Sequence, residues 1–294
     1  MSNLKAIKPK KAEPKKPKIL VYGKPGVGKT WAALDFPAVY YIDTEGGANL
    51  AHYTDKLEKS GGVYFGPEQG SMDFETIISQ VKALGTEKHN YKTIVIDSIS
   101  KVFNMFITDE MERLGDKDQF GASKKKPVAA MKRLVSWLER VDMNVVLVAH
   151  QKPEWGLVNK ERVEIGATFD AWDKLEYELD LCLNIVKAGP ARNAFVRKSR
   201  LLEFEEETHF PWSYETFAEK YGKDTIEKQG ETITLATSKQ LERIKNLLEK
   251  VKLPEGQEQK WLKKANVDGW DEMSEERIAK AIEHIEKTYL NIEE

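Results

Sequence analysis

Residues 23–30 read Gly-Lys-Pro-Gly-Val-Gly-Lys-Thr, the G-x-x-x-x-G-K-T pattern of a phosphate-binding loop. The apolar residues 18–22 before it predict a buried strand, and residues 31–34 after it can continue as a helix. In this strand–loop–helix context, backbone N–H groups and the helix start are expected to surround a phosphate group. The predicted nucleotide-binding residues are Gly23, Lys24, Pro25, Gly26, Val27, Gly28, Lys29, Thr30 and Trp31.

Two residues of this loop and one downstream aspartate predict a magnesium site. Lys29 can reach the β- and γ-phosphates of a nucleotide, and the Thr30 hydroxyl can ligate Mg²⁺. Asp97 ends the apolar stretch 92–97, which suits an aspartate that orients Mg²⁺ in P-loop enzymes. We therefore expect ATP and Mg²⁺ as cofactors, with Thr30 and Asp97 at the metal.

The composition favours a globular chain of the reducing cytoplasm. Hydrophobic residues make up 40% of the 294 residues, and no apolar run approaches the ~20 residues that a membrane-spanning helix needs. The N-terminus lacks the apolar core of a signal peptide. The single cysteine, Cys182, lies in an apolar stretch and has no second cysteine for an internal disulfide. We expect no membrane partner.

The net charge of −2 hides an uneven distribution along the chain. Residues 1–18 contain seven lysines and one glutamate, so the rest of the chain is acidic overall. The Lys/Pro-rich segment 1–17 has little apolar surface to bury, and we expect it to be a disordered basic tail. Such a tail either aids solubility or binds DNA or a partner, and the sequence leaves both open.

Strands and helices alternate from residue 18 to residue 222. Apolar strands are predicted at 18–22, 39–43, 92–97, 144–149, 179–186 and 194–202, and helices at 72–84, 99–114 and 128–141. Continuous Val/Ile/Leu strands between helices indicate strands that are covered on both faces. The predicted fold class is therefore α/β, with a mostly parallel sheet between helices, and residues 18–222 form its core domain.

A second, smaller unit is predicted after a polar segment at 223–237, which we interpret as a linker. Ser238 can cap a helix with apolar residues at helical spacing, and Pro254 and Gly256 end that helix. Ser274 can cap a last helix of the same kind. Residues 238–294 are therefore expected to form a helical C-terminal domain.

The residue after Asp97 is Ser98, where many P-loop ATPases carry the glutamate that activates water. If the protein hydrolyses ATP, another residue must act as the base. Glu45 follows the strand 39–43, and the carboxyl ends of strands in such a sheet converge on the ligand. We predict that Glu45 holds the attacking water.

The strand 144–149 is followed by His150 and Gln151, a polar pair at a carboxyl end. A polar residue in this place suits detection of the γ-phosphate. Gln151 is predicted to hydrogen-bond the phosphate or the water and to transmit its state to the following loop.

The order of these motifs resembles the RecA superfamily. The segments 41–47 (Tyr-Ile-Asp-Thr-Glu-Gly-Gly) and 210–215 (Phe-Pro-Trp-Ser-Tyr-Glu) are more similar to small phage-encoded RecA-like ATPases, the Sak-type single-strand annealing proteins. The likeness covers residues 18–222. It implies a RecA-like P-loop core and a DNA-stimulated ATPase of DNA recombination that assembles on single-stranded DNA, in the host cytoplasm if phage-encoded.

The resemblance also implies two loops that meet single-stranded DNA. The first would include residues 121–126, with Lys124, Lys125 and Lys126, and the second would be residues 152–169. Lysines neutralise phosphates and an aromatic ring can stack on a base. In the second loop the implied DNA-binding residues are Trp155, Lys160 and Arg162.

A further implication concerns assembly as a ring or filament. Residues 193–200 resemble the strand from which RecA-like subunits send basic residues into a neighbour's ATP site. Lys198 and Arg200 are the implied residues, because alternate residues share one strand face. A cation from the next subunit would stabilise the transferring phosphoryl group, as an arginine finger does.

Two alternatives remain beside the DNA-dependent ATPase. One is a hexameric motor of similar core, and the other is a DNA-binding clamp that uses ATP with little turnover. The C-terminal domain carries lysines that can touch DNA and carboxylates that oppose such contact. It is equally suited to dock a single-strand-binding protein or another subunit.

Overall fold

The apolar segments of the sequence form the strands of one central sheet. The computed structural model describes residue 8, residues 14–47 and residues 50–290. Its strands are β1 (Lys18–Gly23), β2 (Val39–Asp43), β3 (Val63–Phe65), β4 (Thr93–Asp97), β5 (Asn144–Val158), β6 (Glu161–Phe169), β7 (Leu181–Ala188), β8 (Ala191–Ser199) and β9 (His209–Pro211).

The spatial order of the strands is β3-β2-β4-β5-β1-β7-β8-β9, and β6 pairs with β5 outside this path. Along this path the strands β3, β2, β4, β5, β1 and β7 run parallel. The strands β6, β8 and β9 are antiparallel to their neighbours. One strand, β5, lies between β1 and β4, so the loop after β1 and the end of β4 flank a common cleft.

Helices cover both faces of the sheet. They are α1 (Lys29–Ala33), α2 (Ala51–Ser60), α3 (Phe74–Thr86), α4 (Ile99–Leu114), α5 (Lys125–Arg140), α6 (Leu175–Glu178), α7 (Tyr214–Tyr221) and α8 (Lys223–Glu227). Alternate strand residues face the two layers: Leu20 and Tyr22 pack with α3, α4 and α5, whereas Ile19 and Val21 pack with α1 and α7. The predicted fold class, a mostly parallel sheet between helices, is confirmed.

The C-terminal region is helical, as predicted. It contains α9 (Ser238–Lys250), α10 (Gln257–Ala265) and α11 (Glu275–Tyr289), which share a small apolar core. This unit docks on α5, where Arg133 forms ion pairs with Asp268 (2.7 Å) and Glu272 (3.3 Å). Among the described residues, no helix has the length and apolar character to span a membrane.

The segment 152–169, predicted as a loop, is instead a β-hairpin. β5 continues to Val158 and β6 returns from Glu161, with Asn159 and Lys160 at the tip in the left-handed region (φ 53° and 70°). A two-residue turn with both φ positive matches the twist of a hairpin, and Asn favours it. Alternating apolar residues on both sides of that turn were the overlooked sequence signal.

Other boundaries also differ from the sequence prediction; the strand predicted at 194–202, for example, is β8 at Ala191–Ser199. Helix α5 begins at Lys125 rather than Val128, so Lys125 and Lys126 lie in its first turn. Lys16 is buried and donates to the Ile226 carbonyl, so the disorder expected for 1–17 does not extend to it. Residues 1–7 and 9–13 of that tail lie outside the described residues. The range predicted as a linker contains α8, whose Ile226 is buried in the core.

Candidate nucleotide-binding site

The register of the sheet brings the predicted site residues to one edge. Gly23 of β1 lies opposite His150 of β5, and Asp43 of β2 lies opposite Asp97 of β4. Because these strands are parallel, their carboxyl ends share one edge, and the loops that leave them lie side by side. Lys29, Thr30, Glu45 and Asp97 therefore lie around a common cleft.

The backbone of the phosphate-binding loop has positive φ angles at two glycines, where a residue with a side chain would be strained. Gly26 and Gly28 have φ values of 75° and 90°, in the left-handed region. Lys29 follows as the first residue of α1, and its Nζ donates to the carbonyls of Gly23 (2.9 Å) and Lys24 (3.0 Å). The ammonium group thus lies over the loop, where the phosphates of a nucleotide would be held.

A buried carboxylate faces the hydroxyl of Thr30. Thr30 Oγ1 donates to Asp97 Oδ2, and the Tyr41 hydroxyl lies 3.5 Å from the same oxygen. Burial, together with the charge of Glu45, raises the pKa of Asp97 to about 6, against the lowering effect of the Thr30 hydrogen bond. A buried carboxylate with a hydroxyl beside it offers the hard oxygen donors that Mg²⁺ prefers.

These residues fit a magnesium–nucleotide complex. Thr30 and Asp97 would hold the metal, and Lys29 with the loop would hold the phosphates. Among the described residues no three His, Cys, Asp or Glu side chains form a metal cluster. Mg²⁺ is usually held by one or two carboxylates together with substrate phosphates and water.

Asp97→Asn is expected to stabilise the metal-free protein near pH 8 and to abolish its response to Mg²⁺ with ATP. The folded pKa lies above the ordinary value of 3.8, so the ionised carboxylate opposes folding. This cost is absent below about pH 4, grows between pH 4 and 6, and reaches about 3 kcal/mol above pH 6. Denaturant unfolding at pH 4 and pH 8 measures it.

The control for this prediction is Asp116→Asn, which changes an exposed aspartate in the connection after α4. It should leave both the free energy of unfolding and the stabilisation by Mg²⁺ with ATP unchanged. A loss of stability in Asp97→Asn at pH 8, or full stabilisation of that variant by Mg²⁺ with ATP, would contradict the assignment.

Glu45 lies in a hydrogen-bonded cluster with Ser98 and His150. Ser98 Oγ donates to Glu45 Oε1 at 2.6 Å, and His150 Nε2 lies 2.5 Å from the same oxygen. Burial raises the pKa of Glu45, but the Ser98 hydrogen bond and the His150 charge outweigh it and lower the pKa. The side chain of Glu45 is 39% exposed, so its ionised carboxylate remains accessible to water.

The turn that presents Glu45 is fixed by its neighbours. Asp43 is buried, and its Oδ1 accepts from the N–H groups of Glu45 (2.8 Å) and Gly46 (2.9 Å). Thr44 binds the backbone of Ser98 twice, with its hydroxyl donating to the carbonyl and accepting from the N–H, both at 2.9 Å. These contacts tie the ends of β2 and β4 together.

His150, rather than Gln151, makes the contact with Glu45. Gln151 pairs with Phe169 in the β5–β6 hairpin, and successive strand residues point to opposite faces. The structure shows no side-chain hydrogen bond of Gln151 to any described residue. Its role as a phosphate sensor stays a prediction, and no local sequence pattern indicates that Ser98 and His150 contact Glu45.

Lys198 and Arg200 lie at the opposite edge of the sheet from the phosphate-binding loop. β8 is antiparallel to β7, so its last residues lie near the starts of the parallel strands. Lys198 Nζ donates to the Leu179 carbonyl, and Arg200 donates to the Tyr177 carbonyl. Both cations thus contact carbonyls of their own chain, and their action on a neighbouring subunit stays a prediction.

The predicted DNA-binding residues fall into two separate places. Trp155 and Arg162 lie on one face of the hairpin, with the guanidinium 5.2 Å from the ring centre, and Lys160 is at its tip. Lys124 and Lys125 are exposed before and at the start of α5. Lys126 forms an ion pair with Glu110 at 3.0 Å, which the sequence did not indicate.

A strand, a glycine-rich loop with Lys29 and Thr30, and an aspartate at the end of a nearby strand define a P-loop nucleotide-binding protein. The chain belongs to the AAA domain family, whose model matches residues 15–211. Among solved structures, that of the RadB recombinase is similar, with 18% identity, a TM-score of 0.43, and coverage of 67% of this chain and 86% of that chain. No curated protein matches the chain.

Proposed function

We propose that the chain hydrolyses ATP in response to single-stranded DNA and acts in DNA recombination, by single-strand annealing or strand exchange. In this proposal it is a Sak-type protein of phage origin that works as an oligomer in the cytoplasm. The observation that supports it is the convergence of Lys29, Thr30, Asp97 and Glu45 at one edge of the sheet.

In this mechanism the residues divide the work on the triphosphate. Lys29 binds the phosphates, and Thr30 with Asp97 would hold Mg²⁺, which would supply charge neutralisation at the phosphoryl oxygens. Glu45 orients a water molecule toward the γ-phosphorus and accepts its proton. Ser98 and His150 hold the Glu45 carboxylate in place, since both contact the same oxygen.

The β5–β6 hairpin is the proposed contact with single-stranded DNA. Trp155 is 51% exposed, which leaves ring surface on which a base can stack. Arg162 and Lys160 beside it can neutralise phosphates, as can the exposed Lys124 and Lys125. Because β5 carries both His150 and the hairpin, a shift at Glu45 can pass along one strand to the DNA contact.

The C-terminal unit is the proposed docking site for an acidic partner, such as a single-strand-binding protein. A cavity of about 390 Å³ in this unit is walled by Trp261 and Trp270 and bordered by Lys264, Arg277 and Lys280. An aromatic pocket with a cationic rim fits an apolar side chain flanked by carboxylates. Deletion of residues 238–294 tests it: unchanged affinity for single-stranded DNA supports docking, and lost affinity assigns the unit to DNA.

Assembly on DNA is tested by imaging the protein with single-stranded DNA and a non-hydrolysable ATP analogue. We expect rings or filaments, because the proposed function needs several subunits on one strand. Duplex DNA of the same length is the control and should give fewer assemblies. Particles that stay monomeric under every condition would contradict the oligomer.

Two other functions give different results in related assays. Directional unwinding of a forked duplex would favour a hexameric motor. ATP binding with little turnover, even on single-stranded DNA, would favour a clamp. The proposed function predicts that the protein anneals complementary strands and that annealing requires ATP binding. This result would distinguish it from both alternatives.

A further inference from the structure

Arg192 lies at the same edge of the sheet as the phosphate-binding loop. It is the second residue of β8 and pairs with Lys187 near the end of β7. β7 runs parallel to β1 and beside it, so its carboxyl end lies next to the loop that leaves β1. The hairpin from β7 to β8 therefore places Arg192 at the edge of the sheet that carries the phosphate-binding loop.

The side chain of Arg192 lies directly against the loop. A Cβ placed on Gly28 would lie 2.8 Å from Arg192 Cδ and 3.3 Å from its Cζ, with Nε closer still. Gly28 thus leaves the space that the guanidinium group occupies, one residue before Lys29. The Arg192 carbonyl accepts from the N–H of Trp212 at 2.8 Å, which fixes the backbone from which the side chain extends.

The Arg192 guanidinium is available to bind an anion. The structure shows no ion pair or side-chain hydrogen bond between Arg192 and any described residue. Of the lysines near the same loop, Lys56 is paired with Asp35 at 2.7 Å, and Lys29 donates to the carbonyls of Gly23 and Lys24. An arginine that has no carboxylate partner and lies against a phosphate-binding loop can bind an anion there.

We propose that Arg192 binds the terminal phosphates of ATP held by its own chain and stabilises the transferring γ-phosphoryl group. The proposal rests on the proposed ATPase function. A water oxygen bonds to the γ-phosphorus, the bond from that phosphorus to the β–γ bridging oxygen breaks, Glu45 takes the proton, and ADP leaves. A guanidinium group of the same chain can donate several hydrogen bonds to the phosphoryl oxygens. These bonds stabilise the negative charge that develops as the leaving group departs.

This assignment differs from the arginine finger expected from Lys198 and Arg200. Those residues lie at the other end of β8 and donate to carbonyls of their own chain. Lys198 follows Arg192 by six positions of extended strand, a distance of roughly 20 Å. With Arg192 in place, each subunit carries a complete phosphate site, and hydrolysis per subunit does not need a neighbour's cation.

The test compares Arg192→Ala and Arg192→Lys with Arg113→Ala, an exposed arginine at the far end of α4. Equilibrium binding of fluorescent ATP and ADP analogues is measured with Mg²⁺, and thermal melts confirm the fold. We expect Arg192→Ala to weaken ATP binding by about 10- to 100-fold, as loss of a charge-assisted contact does. ADP binding should change much less, and Arg192→Lys should give an intermediate value because lysine lacks the planar fork.

The binding readout separates this proposal from the proposed function. If the wild-type protein does not hydrolyse ATP but Arg192→Ala still loses ATP affinity, the ATPase proposal fails and Arg192 remains a phosphate ligand. Unchanged ATP affinity in a folded Arg192→Ala protein would overturn the assignment. Loss of turnover in Lys198→Ala with Arg200→Ala, but not in Arg192→Ala, would assign the finger to the neighbouring subunit instead.

Discussion

Glu45→Gln is expected to lower ATP turnover by about 10²- to 10⁴-fold, the usual contribution of a general base, while ATP binding stays close to that of the wild type. Glutamine keeps the shape of the side chain and can still accept the Ser98 hydrogen bond at Oε1. It cannot take a proton from water, because the amide is not basic at neutral pH. Steady-state phosphate release and equilibrium binding of an ATP analogue measure the two effects.

Two controls make the result of Glu45→Gln interpretable. Lys29→Ala should lose both binding and turnover, because its ammonium group lies over the phosphate-binding loop. Glu87→Gln changes an exposed glutamate after α3, away from the phosphate-binding loop, and should behave as the wild type. Unchanged turnover in Glu45→Gln would remove this glutamate from the mechanism. The general base would then be unassigned, because Ser98 stands where many P-loop ATPases carry it.

Much of the fold followed from local patterns in the sequence. The strands at β1, β2 and β4 were predicted to within a residue, because runs of Val, Ile, Leu and Tyr bounded by turns have few alternatives. Helix α4 was predicted with its observed bounds because its apolar residues recur at helical spacing, and the structure shows that Ser98 caps it. These features depend on neighbours a few residues apart.

The features that escaped prediction depend on contacts between distant residues. The resemblance implies a loop at 152–169, where the structure has the hairpin of β5 and β6; charged residues between Trp155 and Ile165 conceal the period-two alternation. Glu45 was assigned to the site from its strand end, but its partners Ser98 and His150 are 53 and 105 residues away. Only the register of the sheet shows that the three side chains meet.

The position of Arg192 illustrates the same limit. In the sequence it is one basic residue near the start of an edge strand, without a motif around it. Its contact with Gly28 arises because β7 lies beside β1 and β8 returns along β7. A single sequence carries the residue types of such a site but not the strand order that brings them together.

Single-stranded DNA is expected to raise the rate of ATP hydrolysis by about tenfold, within the usual range for coupling between two sites. The hairpin that carries Trp155 and Arg162 continues from the strand that carries His150, so DNA contact and the Glu45 cluster share one element. The stimulation should fall as salt rises, because cations that bind phosphates release counterions from the DNA.

The most direct measurement is the ATPase rate of the full chain with Mg²⁺, with and without single-stranded DNA, at low and at moderate salt. Duplex DNA of the same sequence and the Lys29→Ala protein serve as controls. We predict clear stimulation by the single strand, little by the duplex, and no activity in Lys29→Ala. Absence of stimulation by any DNA at low salt would contradict the proposal that this protein is a single-strand-dependent ATPase.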